Sequence, residues 1–238
     1  TQLVRNLEVY SANLRNSREI MAVVKANAYG HGDIAVAKVL QEHGIHHFAV
    51  SNLEEAIHLR ENGIEGQILI LGYTPIEEAE KLVRYDITQA LIDTDYAKRL
   101  AATALPLKAQ FALDTGMNRI GLDAEKPDEC EKVIREYARH FTLTGFFTHL
   151  CVADTDNAEC KSFTDHQIAL FTEIIHRVSD LHLPFMHCLN SAGGLWHDCP
   201  ESALVRLGII LYGLKPDYLN TLPKGIKPVL TWKTVVSM

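Results

Sequence analysis

No apolar run in this 238-residue chain approaches the ~20 residues a helix needs to cross a bilayer, and no signal-peptide pattern opens it. Cysteine is sparse: Cys130, Cys151, Cys160, Cys188 and Cys199 are odd in number and never stand in C-x-x-C spacing. That argues against a disulfide framework or a zinc knuckle and for reduced thiols in a cytoplasmic setting. Clusters of basic charge are missing too. Lysine and arginine are scattered through a chain of net charge −7, which leaves no footprint for nucleic acid. The twelve histidines lie dispersed over helix and loop patterns, so no metal site is expected. No G-x-G-x-x-G follows the first strand, so the fingerprint of a dinucleotide-binding fold is lacking.

What is present is alternation. Short apolar runs rich in β-branched residues read as buried strands, and amphipathic stretches between them read as helices. A helix is expected over Thr1–Arg18, then strands over Ile20–Lys25, His47–Ser51, Gln67–Leu71, Ile87–Ile92, Leu107–Leu113, Leu143–Thr148, Pro184–Cys188 and Ala203–Arg206. Helices are expected between them, over Ile34–His43 with Asp33 as its cap, Leu53–Asn62, Pro75–Val83, Thr94–Ala104, Pro127–Arg139 and Phe163–Leu181. Eight strand–helix units without a repeat period favour an α/β fold of the closed (β/α)8 TIM-barrel type over an open sheet. A chain of this length can hold such a barrel as one domain.

Polar or glycine-rich tips follow the strands in the same register: Lys25, Asp114 with Arg119, His149, Asn190 with Ser191, and Arg206 with Gly208. In a barrel these ends converge on one face, where ligands bind. Lys25 closes an apolar strand, where burial disfavours the ammonium and lowers the pKa, as a Schiff-base lysine requires. Taken singly, each tip has a structural reading: a snorkelling lysine, a packing tyrosine at Tyr29, a capping Asn-Ser, an ion-paired arginine at Arg206.

Val23-Val24-Lys25-Ala26-Asn27-Ala28-Tyr29-Gly30-His31-Gly32 closely resembles the cofactor-attachment motif of the alanine racemase family. Four further blocks resemble the family in the same order: Leu113–Gly121, Thr148-His149-Leu150 with Ala153-Asp154 following, His187–Ala192 and Val205–Gly213. The resemblance runs from about Asn13 onward. It implies a pyridoxal 5'-phosphate enzyme that interconverts L- and D-alanine, or L- and D-serine, and supplies D-amino acid for peptidoglycan. Lys25 would hold the cofactor and act as one of two Cα bases. Tyr29, Ser191 with Asn190, and the backbone at Gly208 and Ile209 would hold its phosphate. His149 would lie against the pyridine ring, and Arg119 would reach the phenolic oxygen. Arg206 would meet the pyridine nitrogen, with His187 behind it. A guanidinium does not give up its proton, so that nitrogen stays unprotonated and a long-lived carbanion is disfavoured, which suits racemisation.

Two departures stand out. Many family members carry a lysine where this chain has Ala112, so Arg119 must be held by something else. The family also carries a C-terminal β-domain that supplies the opposite-face tyrosine to the partner subunit of a homodimer. Residues 1–226 are therefore read as the barrel. Residues 227–238, with Val229, Thr231, Lys233 and Val235 alternating, are read as the first strand of that β-domain. The expected partners are a small amino-acid substrate and a second subunit. A parent tethered to a membrane, as in resistance-type serine racemases of this family, is compatible with the resemblance. Two other readings share the barrel: a non-catalytic pyridoxal-phosphate carrier, which lacks the Asn-Ala-Tyr-Gly-His-Gly string, and an amino-acid decarboxylase, which would want a carboxylate at Arg206.

Overall fold

The computed structural model describes residues 1–16, 18–216 and 222–235. All eight expected strands form, and all run parallel: β1 (Glu19–Val23), β2 (His47–Val50), β3 (Gln67–Ile70), β4 (Thr88–Leu91), β5 (Lys108–Asp114), β7 (Thr142–Phe147), β8 (Phe185–His187) and β9 (Leu204–Leu207). A two-residue strand not foreseen from the sequence, β6 (Leu122–Asp123), pairs with the end of β5. The order is β8-β7-β5-β4-β3-β2-β1-β9. Its two outer strands meet: Ala203 N–H donates to Met186 O at 2.8 Å, and Arg206 N–H to Leu189 O at 2.9 Å. Those bonds bring the sheet round into the expected barrel.

Outside the strands lie α1 (Gln2–Ala12), the short turn α2 (Lys25–Gly30), α3 (Asp33–Glu42), α4 (Leu53–Glu61), α5 (Ala79–Arg84), α6 (Thr94–Ala101), α7 (Pro127–Tyr137), α8 (Ala158–Arg177) and α9 (Gly193–Trp196). Asn52, Asp93 and Asn157 cap α4, α6 and α8 by accepting the N–H three residues on. That last cap explains why α8 starts before Phe163. Elsewhere the sequence reading is corrected at helix ends. The first helix stops at Ala12 rather than Arg18, with Asn13 as its cap and Asn16 left-handed at φ 62°. Pro75 is extended, so a 3-10 turn (Ile76–Glu78) precedes α5. Gly32, not Asp33, caps α3, although Asp33 Oδ1 accepts the Ile34 N–H at 2.8 Å.

Strand alternation sorts two apolar layers. Ile20, Ala22 and Val24, with Phe111 and Leu113, face the helices. Met21, Val23, Leu69, Ala112, Phe147 and Leu204 face the barrel interior. Burying each large apolar side chain contributes roughly 1.5–3 kcal/mol. The interior layer is thin, and Gln110, His187 and Arg206 also lie buried there.

Gly225 and Lys227 lie against α1. Asn6 Nδ2 donates to Lys227 O at 2.8 Å, Asn6 Oδ1 accepts the Lys227 N–H at 3.0 Å, and Val229 N–H donates to Tyr212 O at 3.1 Å. Among the described residues, 229–235 pair with no strand, and Trp232 and Val235 are exposed. Positions 236–238 of the expected strand lie outside the described residues.

Candidate active site

The inward phase Met21, Val23 leads to Lys25, but β1 stops at Val23. Lys25 is therefore not the last strand residue. It opens a left-handed turn in which Ala26, Asn27, Ala28 and Tyr29 all have φ between 51° and 53°. Left-handed backbone costs an L-residue about 1–2 kcal/mol, so a run of four persists only where its surroundings over-determine it. They do so at two points. The Glu55 carboxylate accepts the Ala26 N–H at one oxygen and the Ser51 N–H at the other, both at 2.7 Å. Asn27 Oδ1 accepts the Asp33 N–H at 3.0 Å. Sequence reading missed Glu55. Its only signal was an acidic residue on the helix after β2, which capping preferences explain equally well.

A cavity of about 290 Å³ opens at the C-terminal ends of the strands. The nine residues given a catalytic or cofactor role from the sequence line it, whereas Asp114, the strand-end tip named with Arg119, does not. The nine are Lys25, Tyr29, Arg119, His149, Asn190, Ser191, Arg206, Gly208 and Ile209. Leu71, Phe147 and Asp154 also line the cavity and were not among them. Burial lowers the Lys25 pKa, the Arg119 guanidinium lowers it further, Glu55 opposes this, and Arg206 lowers it again. Burial, then Arg206, Arg119 and Lys25, hold His149 down at about 3, so the ring is neutral.

Arg206 is anchored at both terminal nitrogens. One donates to His187 Nδ1 at 2.7 Å and His187 O at 2.8 Å; the other donates to Thr148 O at 2.6 Å and lies 3.3 Å from His149 Nδ1. The guanidinium also sits 5.7 Å above the Phe147 ring, on which His187 stacks at 5.5 Å. No bond engages its Nε–H among the described residues, where no buried side-chain nitrogen or oxygen lacks a partner. That N–H therefore reaches open space, and the cavity is the space beside it.

A second group forms where the β8 and β9 ends meet. Ser191 Oγ accepts the Gly208 N–H at 2.9 Å, and Tyr10 Oη donates to Ser191 O at 2.8 Å. A Cβ at Gly208 would stand 2.9 Å from the Tyr29 hydroxyl and displace it, so glycine keeps that hydroxyl seated in this corner. The Asn190 amide is engaged at both ends, donating to Leu150 O and accepting the Gly193 N–H, so it shapes the loop. With Lys25, Arg119 and Arg206 against the single carboxylate of Asp154, the cavity favours an anionic guest. Ala112 is buried below Arg119, beside a void of about 20 Å³.

Residues 1–216 match the family described as "Alanine racemase, N-terminal domain". An alanine racemase of Clostridium perfringens is 40% identical over 235 residues, covering 94% of this chain and 59% of that protein. The crystal structure of an alanine racemase from E. faecalis superposes with a TM-score of 0.86 at 31% identity, covering 95% of this chain and 62% of the other. A histidine racemase from Leuconostoc mesenteroides superposes with a TM-score of 0.81 at 31% identity, over 95% and 61% of the two chains. The chain thus spans about 60% of the length of these relatives.

Proposed function

The chain belongs to the alanine racemase family, matching its N-terminal domain, and from that premise we propose that it is the cofactor-binding barrel of a pyridoxal 5'-phosphate-dependent amino-acid racemase. The observation that carries this reading is one cavity holding a pKa-lowered lysine, a neutral histidine, an arginine N–H and a glycine-lined polar corner. These donors fit the cofactor chemically. The Tyr29, Ser191, Gly208 and Ile209 corner suits a phosphate, Arg206 Nε–H suits a ring nitrogen, and Arg119 suits a phenolate. When bound, the cofactor supplies an aldehyde for amine capture and a conjugated ring that acidifies the substrate Cα–H.

This chain's own residues account for half of the proton traffic. Lys25 serves as base and acid on one face of the substrate Cα, and its lowered pKa favours the neutral amine relative to an ordinary lysine. Arg206 donates without surrendering its proton and so keeps its acceptor unprotonated. Neutral His149 adds no charge beside Lys25. In our reading the opposite-face base is a tyrosine from the β-domain of a partner subunit in a homodimer, with residues 227–238 leading into that domain. Racemisation needs both faces, so these 238 residues alone should turn over little substrate. We propose L- and D-alanine as the substrate pair, with D-alanine destined for peptidoglycan, and serine as the second substrate to test. The five free cysteines suit a cytoplasmic setting. No helix among the described residues is long and apolar enough to cross a membrane.

The test adds pyridoxal phosphate to the purified chain, follows the Schiff-base absorbance, reduces with borohydride and maps the labelled peptide. Label on Lys25, lost in Lys25→Ala, supports the reading; label on another lysine refutes it. Full racemase turnover by the 238 residues alone would refute the assignment of the second base to another domain.

A further inference from the structure

A line of hydrogen bonds leaves the cavity through the barrel interior. Arg206 can only donate, so His187 Nδ1, 2.7 Å away, must be a bare acceptor. The ring proton then sits on Nε2, which lies 2.8 Å from Gln110 Oε1. The Nε2 proton needs an acceptor, which sets the Gln110 carbonyl toward His187, and Thr144 receives the other end of the amide. The Thr144 hydroxyl donates to Ala109 O at 3.3 Å, and its oxygen accepts from Gln110 Nε2 at 3.2 Å and from Gln67 Nε2 at 3.4 Å. Two donors and one acceptor exhaust that hydroxyl. Beyond it, Gln67 Oε1 lies 3.0 Å from His47 Nδ1, and His47 Nε2 lies 3.0 Å from Glu19 Oε2 at the opposite rim. Gln110 and His187 are fully buried. Burial, Arg206 and His47 hold the His187 pKa well below its ordinary value, which keeps the ring neutral.

We propose that Gln110 is a positioning residue: held by Thr144, its carbonyl takes the His187 Nε2 proton and leaves His187 Nδ1 free to anchor Arg206 against the cavity. Gln110 touches no ligand, and it acts two residues removed from the cavity. An Nδ1–H tautomer would oppose donor against donor and push the Arg206 guanidinium off its seat. An amide is the suitable partner because a carboxylate there would draw a second proton onto the ring, with the same result. The value of this placement for catalysis rests on the proposed function, whereas the tautomer itself does not.

The experiment uses the cofactor-free chain with nitrogen-15-labelled histidine, reading ring shifts by long-range proton–nitrogen correlation from about pH 8 to about pH 5. The expected result for His187 is one neutral tautomer, protonated at Nε2, throughout. Gln110→Met, apolar and of similar length, should move the Nε2–H resonance upfield and speed its exchange with water. Gln110→Glu restores an acceptor and should bring His187 into titration within that range, which a purely space-filling role would not do. A wild-type His187 protonated at Nδ1 overturns the proposal even if neither variant folds, and so does a folded Gln110→Met with an unaltered ring signal. Pyridoxal phosphate affinity should fall roughly tenfold in Gln110→Met, the usual scale for losing a group that orients a ligand contact. If wild type shows the Nε2 tautomer but binds no pyridoxal phosphate, the functional reading fails while the tautomer assignment stands.

Discussion

Removing Glu55 should release the left-handed turn that carries Lys25. Its carboxylate accepts two backbone N–H groups at 2.7 Å, from Ala26 and Ser51, and so ties the turn to the end of β2. Hydrogen bonds to a charged group are worth about 1.5–3 kcal/mol each when sheltered. Glu55 is only half-buried, so the low end applies, and Glu55→Ala should cost about 2–3 kcal/mol in all. Against that stand four left-handed residues, Ala26–Tyr29, whose backbone costs about 4–8 kcal/mol together. Losing one of the main restraints leaves the turn free to relax toward ordinary backbone, carrying the Lys25 amine with it. Glu55→Gln should be nearly as costly, since it keeps one acceptor and turns an NH2 toward the other N–H. The assay is urea unfolding together with hydrogen exchange at the Ala26 amide: a drop in global stability, and a larger loss of protection at Ala26. A second readout has its own direction. Glu55 raises the Lys25 pKa, so the pH midpoint for Schiff-base formation with pyridoxal phosphate should shift lower in both variants even as affinity falls. Wild-type protection at Ala26 in Glu55→Ala would refute the clamp, and an upward shift of the midpoint would refute the electrostatics.

Gly208→Ala should leave the fold intact but weaken pyridoxal phosphate binding by about tenfold or more, because the new Cβ would stand 2.9 Å from the Tyr29 hydroxyl and close the polar corner; a titration matching wild type would contradict that. Gly194→Ala places a Cβ 2.3 Å from Tyr10 Oη and 2.8 Å from Val205 Cγ1, so thermal unfolding should show a loss of about 1–3 kcal/mol from overpacking. His149 sits at about 3 in the fold against ~6.5 unfolded. The unfolded chain therefore binds the extra proton first, and stability contributed by the neutral ring is full above ~6.5 and lost as pH falls toward 3. At pH 5 that amounts to up to about 2 kcal/mol, and His149→Asn should flatten the acid limb of stability against pH; an unchanged slope would count against a neutral His149.

The barrel and the set of residues that share its cavity were legible in the chain because both rest on local patterns. Eight apolar runs of strand length, separated by amphipathic stretches, leave few architectures other than a parallel closed sheet. Residues just past strand ends share one rim of such a barrel, which is why Lys25, Arg119, His149 and Ser191 meet; Arg206, expected at a strand end, lies inside β9 and reaches the same cavity from the barrel interior. Helix ends were less legible, since the cap at Asn157 and the left-handed Asn16 depend on one or two side-chain bonds that periodicity does not register. The turn at Ala26–Tyr29 was illegible from propensity: nothing in Ala-Asn-Ala-Tyr favours four left-handed residues, and its partner Glu55 lies about thirty positions away. Gln110 was hidden differently. In sequence it is one polar residue inside an apolar strand; the sheet sets β5 one strand away from β8, across β7, so that its amide reaches His187, and only closure sets β9 beside β8 so that His187 reaches Arg206. Sequence alone thus determined which elements form and which residues share the rim, because periodicity and strand-end position are properties of neighbours along the chain. Tertiary structure decided the conformation of the lysine turn and the proton position on His187, because both depend on donors and acceptors distant in the chain: Glu55 reaches the turn only when β1 pairs with β2, and Arg206 reaches His187 only when β9 closes against β8.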